Sequence, residues 1–269
     1  MIKQLFTTLI VGLTLITSVQ TNAADLTDVS EIVKQANLAS YYQGADGRSE
    51  ARMLIQDSQG RQQQRQFTIL RRDYEDGGDQ QFLVAFSRPA DVRDTVFLVE
   101  KHTQKDDDRW LYLPGLDLVK RISAGDKRTS FVGSNYFYED VSGRNPEEDL
   151  HTLVETTDDF YVLENTPKDP NSVEFSRYRV WIDKGSLLPM KTEYYDTNNK
   201  LYRRVEVLAT ETVQGVPTVT KSRVSDLVSG ANTTMEFRFI RYDLGMDSSV
   251  FSERSLRNPP RQWLKRPES

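Results

Sequence analysis

The chain contains no cysteine and only two histidines among its 269 residues. It therefore has neither a disulfide nor a thiolate nucleophile, and no cysteine to which a lipid anchor could be attached. His102 and His151 stand in no spacing typical of a metal site, so we interpret both as structural or surface residues. The G-x-S-x-G, G-x-x-x-x-G-K-[ST] and G-x-G-x-x-G motifs are also missing. We therefore predict a protein without enzymatic activity, cofactor or bound metal.

Long apolar runs are missing beyond the N-terminus. The run from Leu5 to Ile16 carries no charge, but it is shorter than the roughly 20 residues that a membrane-spanning helix needs. Thr21 and Ala23 provide the small side chains that signal peptidase requires before its cleavage site. We expect a signal peptide at residues 1–23 and a single mature β domain at 24–269, soluble in the periplasm of a Gram-negative bacterium.

Basic residues are too few to balance the acidic ones. The net charge of −5 and the isoelectric point near 5.3 argue against charge-driven binding to nucleic acid or anionic membranes. The acidic runs Asp106–Asp108 and Glu147–Asp149 are interpreted as solvated turns, because calcium loops place their ligands at alternate positions. The sequence does not exclude a catalytic pair of carboxylates of the glycosidase type, because the two residues of such a pair need to be close only in the folded structure.

The periodicity predicts one helix followed by many strands. Asp28 suits the N-cap, Glu31 its capping box, and Ile32, Val33 and Ala36 share a helical face. Eleven later segments have strand character, and their short turns favour an antiparallel barrel or a strongly curved sheet. The segments are 48–56, 61–74, 81–87, 95–101, 109–113, 160–165, 175–183, 190–196, 201–210, 218–228 and 234–242.

The segment from Ser123 to Glu148 lacks strand periodicity but is rich in glycine and aromatic residues. Loops of this length are uncommon in compact domains unless they are functional. We interpret it as a mobile lid over an apolar cavity, although an aromatic residue in a strand more often belongs to the core. The candidate residues for the cavity wall and lid are Ile32, Val33, Ala36, Trp110, Tyr112, Phe131 and Phe137.

A series of short motifs resembles a known family. It comprises W-L-Y-L-P at 110–114, R-I at 121–122, S-F-V-G-S at 130–134 and Y-E-D at 138–140. The series is similar to the outer-membrane lipoprotein-sorting proteins of the LolA-like type, and residues 86–98 and 178–191 agree with it. Asp94, where the family usually has glycine, and Asn135, where an acid is common, depart from the pattern.

The resemblance implies a half-open antiparallel barrel of about eleven strands, with an N-terminal helix and a helix or loop lid over an apolar cavity. It also implies a periplasmic carrier that shuttles a lipid or lipidated protein from inner-membrane machinery to the outer membrane without covalent chemistry. The implied partners are acyl chains and an inner-membrane exporter of the RND/MMPL type.

Two alternatives remain open at this stage. One is a regulatory sensor of the RseB type, which detects envelope lipoproteins or lipids with a similar half-barrel. Such sensors carry a second C-terminal domain, which we do not expect beyond the last predicted strand. The other is an enzyme acting on envelope lipids, which the missing catalytic motifs disfavour.

Overall fold

A computed structural model describes residues 25–265, so the predicted signal peptide lies outside the described part. Thirteen strands form one antiparallel sheet in the order β6-β5-β4-β3-β2-β1-β13-β12-β11-β10-β9-β8-β7. The sheet is open, with β6 and β7 at its two edges, which confirms the predicted half-open β fold. The strands are β1 (Asp46–Gln56), β2 (Gln62–Asp73), β3 (Gln80–Arg88), β4 (Val96–Lys101), β5 (Asp108–Leu113), β6 (Leu118–Arg121), β7 (Asp149–Thr156), β8 (Phe160–Pro167), β9 (Arg177–Asp183), β10 (Pro189–Tyr195), β11 (Leu201–Val213), β12 (Val216–Asp226) and β13 (Asn232–Tyr242).

The eleven predicted strands are all present, and the expected number is two too low. The additional strands are the edge strands β6 and β7. β6 has four residues and no buried position, so it carries no periodic apolar signal. β7 begins at Asp149, within the acidic run that we had interpreted as a turn. Edge strands bury little surface, and their sequences are correspondingly weak indicators.

Helix α1 (Val29–Tyr41) begins at the predicted N-cap, where Asp28 accepts a hydrogen bond of 2.8 Å from the backbone N–H of Ser30. The expected capping box does not form, because Glu31 instead accepts a bond from Gln35 one turn later. Ile32 and Ala36 are buried against strands β8 and β9. The helix therefore covers one end of the sheet.

The C-terminal end of α1 is held by a buried cation. Arg71 on β2 donates hydrogen bonds to the carbonyls of Tyr41, Gln43 and Gly44. A positive charge here complements the partial negative charge at the end of a helix. The buried Asp73 in turn pairs with Arg71 at 3.0 Å. The helix is thus attached to the sheet at both ends.

The sheet has two differently covered faces. On the inner face, Ala51, Phe67 and Phe97 belong to an aromatic-rich core that includes Phe131. The outer face carries Leu70, Leu83 and Leu98, which the C-terminal part of the chain covers through Val250, Phe251 and Leu256. That part includes the one-turn helices α3 (Arg254–Arg257) and α4 (Arg261–Leu264).

Residues 123–148, which we call the inner segment, lie against the inner face of the sheet. They contain the short helix α2 (Tyr138–Ser142) and single 3-10 turns at 124–126 and 146–148. Phe131 is only 1 % exposed, and its ring centroid lies 5.4 to 6.3 Å from those of Phe67, Phe86, Phe97 and Tyr138. Buried aromatic side chains thus pack this segment against the sheet, and its role as a mobile lid stays a prediction.

The two departures from the family pattern have local explanations. Asp94 has a φ of 64°, the left-handed conformation in which glycine is unstrained. The backbone conformation therefore explains why glycine is usual at this position, and aspartate is one of the residues that can also adopt it. Asn135 bonds Thr233 on β13 through both its backbone N–H and its side chain. The amide thus attaches the inner segment to the sheet without a charge.

Candidate functional site

A cavity of about 490 Å³ lies between the inner face of the sheet, helix α1 and the inner segment. Its volume falls within the roughly 300–1,000 Å³ that is typical of small-molecule sites. Strands from both halves of the sheet line it, and most of the side chains they contribute are apolar. Representative lining residues are Ile69, Val84, Val180, Val205, Met235 and Phe237.

Three of the seven predicted site residues line this cavity, namely Val33, Ala36 and Phe131. Ile32 is fully buried and packs against β8 and β9 rather than facing the cavity. Phe137 lies between two guanidinium groups, with Arg128 at 5.0 Å and Arg203 at 4.4 Å from its ring centroid. Whether any of them contacts a ligand stays a prediction.

Trp110 and Tyr112 do not belong to the cavity. Both side chains lie on the outer face of β5, in the cluster that the C-terminal part of the chain covers. Their neighbour Leu111 occupies the inner face instead. Both faces of β5 are covered by other parts of the chain, so alternation alone could not indicate which face looks into the cavity.

The C-terminal strands supply cavity residues that the sequence reasoning missed. Val205, Val219, Met235, Phe237 and Ile240 all line the cavity. The signal was present in β13, where Met235 and Phe237 alternate with charged residues. Such alternation predicts one buried face, but the depth of a cavity depends on tertiary structure.

One wall of the cavity is built on a buried ionic cluster around Glu139 of α2, which is 2 % exposed. Its carboxylate lies 3.3 Å from Lys127 Nζ, 2.5 Å from Arg128 Nη1 and 3.2 Å from Arg144 Nη1. Burial alone would raise the pKa of Glu139, but the charges of Arg128, Arg144 and Lys127 outweigh it and hold the pKa at about 2. Glu139 is therefore ionised at neutral pH, and its ion pairs fix the inner segment.

The cluster extends to the start of β7. Asp149 is 2 % exposed and accepts hydrogen bonds from Arg144 Nε at 2.8 Å and from the Tyr178 hydroxyl at 2.7 Å. Glu148 pairs with Arg144 at 2.7 Å and with Lys127 at 2.6 Å. The interpretation of this acidic run as a solvated turn is wrong for these two residues. In the other acidic run, Asp107 is likewise paired, at 2.5 Å from Arg109.

The charged groups that line the cavity bind other protein groups, although Nη1 of the lining residue Arg48 has no hydrogen-bond partner within residues 25–265. Arg71 binds the end of α1, while Glu139 and Arg144 bind each other and their neighbours. His151 has its ring nitrogens 2.6 Å from Asn165 Oδ1 and 3.0 Å from the Pro146 carbonyl. A ligand would therefore meet mainly apolar surface. This arrangement suits binding of an apolar group rather than acid–base chemistry.

Two further observations concern residues 25–265. No group of three or more histidine, aspartate or glutamate side chains within this range could hold a metal ion. No helix within it has the length and apolar character needed to cross a bilayer.

The solved structures of similar proteins identify the family. A DUF1329 family protein from Desulfovibrio piger is 33% identical to this chain, with a TM-score of 0.77, and the match covers 85% of this chain and 97% of that protein. This chain belongs to the DUF1329 family. A family model that carries only the description "uncharacterized protein" matches residues 78–258 of this DUF1329 protein.

Two other structures place the family within a wider fold group. A domain from Vibrio parahaemolyticus, provisionally assigned to outer membrane lipoprotein sorting, is 27% identical over 84% of this chain and 97% of its own, with a TM-score of 0.76. A LolA superfamily protein from Nitrosomonas europaea is 19% identical over 85% of this chain and 99% of its own, with a TM-score of 0.65. The DUF1329 protein therefore has a LolA-like fold, as its motifs predict. No curated protein matches it.

Proposed function

We propose that this DUF1329 protein is a periplasmic carrier that binds the acyl chains of a lipid or lipidated protein in its cavity. The observation that carries the proposal is the cavity of about 490 Å³ on the inner face of an open LolA-like sheet. The carrier takes cargo from inner-membrane machinery and delivers it towards the outer membrane without covalent chemistry. An exporter of the RND/MMPL type is the proposed donor.

The cavity wall favours acyl chains over polar cargo. Each methylene group that leaves water contributes about 0.8 kcal/mol, so affinity grows with the length of chain enclosed. The lining side chains from both halves of the sheet, such as Ile69, Val180 and Phe237, provide this apolar surface. A charged headgroup would find most of the nearby charges already paired, so it is expected to stay in water outside the cavity.

The similarity to the Vibrio parahaemolyticus domain supports the proposed cargo class, since that domain is provisionally assigned to lipoprotein sorting. The predicted signal peptide at residues 1–23 supports the periplasmic location. Both lines of support are independent of the cavity.

Native mass spectrometry of protein purified from the periplasm tests the proposal directly. We expect co-purified lipid or lipopeptide, whose mass identifies the cargo. Purified protein should also bind a dansyl-labelled fatty acid saturably, and unlabelled long-chain fatty acid should displace it. A protein that carries no amphiphile and shows no saturable binding would overturn the proposal.

A pair of variants locates the binding site. Val205 on β11 lines the cavity, whereas Leu208 on the same strand is 42% exposed and does not. Val205→Asp places a carboxylate against the acyl chain, and we expect affinity for the probe to fall by about tenfold or more. Leu208→Asp should leave affinity unchanged. Thermal melts of both variants establish that the folded protein is being compared.

A further inference from the structure

Strands β12 and β13 separate at one end of the sheet. Their antiparallel pairing runs from Ser225 opposite Asn232 to Lys221 opposite Glu236. Beyond that point β13 continues to Tyr242 along β1, and β12 reaches Val216 along β11. Within the described chain, residues 216–220 and 237–242 are therefore each paired on one side and not with each other. We call this gap the split.

The cavity extends to the split, because residues on both of its sides line it. Val219 of β12 and Phe237 and Ile240 of β13 present apolar side chains there. Phe239 has a φ of 51° and marks a bulge, where the register of β13 against β1 shifts. Bulges commonly end strand pairing and redirect side chains. The local geometry of β13 thus accounts for the separation.

Side chains bridge the split where the backbone does not. Gln214 accepts a bond of 2.9 Å from the Tyr242 N–H and donates one of 3.3 Å to the Tyr242 carbonyl. The Tyr242 hydroxyl lies 3.0 Å from Thr218 Oγ1 and donates to Gln43 Oε1 at 2.6 Å. Gln43 also donates to the Pro217 carbonyl at 2.8 Å. We call Gln43, Gln214, Thr218 and Tyr242 the latch.

The other boundaries of the cavity are held more strongly. Helix α1 is fixed by the fully buried Ile32 and by the Arg71 guanidinium at its C-terminal end. The inner segment is fixed by the buried charges around Glu139. The latch consists of neutral hydrogen bonds, whose net contribution is small because water can replace them when the split opens.

We propose that the split between β12 and β13 is the port through which acyl chains enter and leave the cavity, and that the latch holds it closed. The apolar side chains on both sides contact the acyl chain as it passes. Gln43 lies two residues beyond the last residue of α1, so opening of the latch also frees that end of the helix from β12 and β13. This inference rests on the proposed carrier function.

Loading kinetics of a dansyl-labelled fatty acid test the port. In the double variant Gln214→Ala/Tyr242→Phe, four of the five latch bonds lose a side-chain group, and the loading rate should rise at least about tenfold. Release should rise by a similar factor, so that the dissociation constant stays within about twofold. Tyr42→Phe is the matched control, because the Tyr42 hydroxyl donates a comparable bond of 2.6 Å to Gly78 away from the split. Its loading rate should be unchanged.

A crosslink across the split tests the same port by holding it closed. The chain has no cysteine, so Gln214→Cys/Arg241→Cys introduces two thiols that alone react with a reductant-cleavable bismaleimide. Crosslinked protein should load at least about tenfold more slowly than the same protein after reduction. A control crosslink between Gln59→Cys and Arg61→Cys, in the exposed β1–β2 turn, should have no effect.

The outcomes separate the two proposals. If the wild type binds the probe but neither the latch variant nor the crosslink changes the loading rate, the port is elsewhere and the carrier function stands. If the wild type shows no saturable binding at equilibrium, the carrier function fails and the port fails with it.

Discussion

Replacing Glu139 by glutamine measures how strongly the ionic cluster holds the cavity wall. Glu139 is 2 % exposed, and its three cationic partners lie within 3.3 Å. Removing one partner from a buried ion pair typically costs about 3–5 kcal/mol, because the remaining charge is left uncompensated. Here Glu174 still pairs with Arg128, and Asp149 with Arg144. We therefore expect the lower end of that range, about 3 kcal/mol.

The pKa of Glu139 leads independently to a similar magnitude. Its value falls from 4.5 to about 2 in the folded protein, and each unit of pKa corresponds to about 1.4 kcal/mol. Because the folded pKa is the lower one, the carboxylate stabilises the fold fully above pH 4.5, and this contribution is lost as the pH falls through 2. The stability difference between wild type and Glu139→Gln should therefore shrink from about 3 kcal/mol at pH 7 to about 1 kcal/mol at pH 3.

Urea denaturation followed by tryptophan fluorescence measures the free energy of unfolding of wild type and Glu139→Gln at pH 7 and at pH 3. A loss of 3 kcal/mol corresponds to a decrease in melting temperature of roughly 6–12 °C for a domain of this size. Glu147→Gln is the matched control, since Glu147 is 79% exposed and lies 3.8 Å from Lys168, and its change should stay below about 0.5 kcal/mol. The reasoning is refuted if Glu139→Gln is as stable as Glu147→Gln, or if its deficit does not depend on pH.

Three further substitutions test buried positions in and around the cavity wall. Phe131→Ala should lower the free energy of unfolding by about 3–5 kcal/mol in a chemical denaturation, because a side chain only 1 % exposed leaves a cavity; a stable variant with weakened lipid binding would instead support the lid interpretation. Burial lowers the pKa of Lys101 from 10.5 to about 8, so the folded protein loses this proton at a lower pH than the unfolded chain. As the pH rises from 8 to 10.5, the free energy of unfolding of wild type should therefore increase by about 3 kcal/mol relative to that of Lys101→Met; a constant difference across that range would contradict this. Gly143→Ala should lower the free energy of unfolding by about 2 kcal/mol, since the φ of 77° disfavours a side chain and the new Cβ would overlap the Tyr41 ring; an unchanged melting temperature would contradict this.

The helix and strands could be predicted from the sequence where their apolar residues are regularly spaced. Helix α1 and eleven strands have regular apolar spacing, and the structure contains all of them. Strands β6 and β7 were not predicted, because edge strands need no apolar alternation. The wrong placement of Trp110 and Tyr112 has a different cause. Alternation separates the two faces of β5, but only the tertiary fold shows that the C-terminal part of the chain covers the side that carries them.

The ionic cluster was missed although its members are close in sequence. Lys127, Arg128, Glu139, Arg144 and Asp149 all fall in or next to the inner segment. Glycines and charges ordinarily indicate a solvated loop, so the charged residues of this segment were interpreted as exposed. The aromatic content of the same segment was the contrary signal, because aromatic side chains that pack against a sheet carry their polar neighbours into the interior with them. Buried charges must then find partners.

The strengths of these interactions decide which boundary of the cavity can open. A carrier must load and release its cargo, so the boundary that opens is expected to be the one whose opening requires the least free energy. The five neutral bonds of the latch amount to about 5 kcal/mol at roughly 1 kcal/mol each. Displacing the inner segment would break several buried ion pairs around Glu139, at about 3–5 kcal/mol for each charge left unpaired. Opening of the split therefore requires less free energy than removal of the inner segment, so the split is the boundary through which cargo can pass.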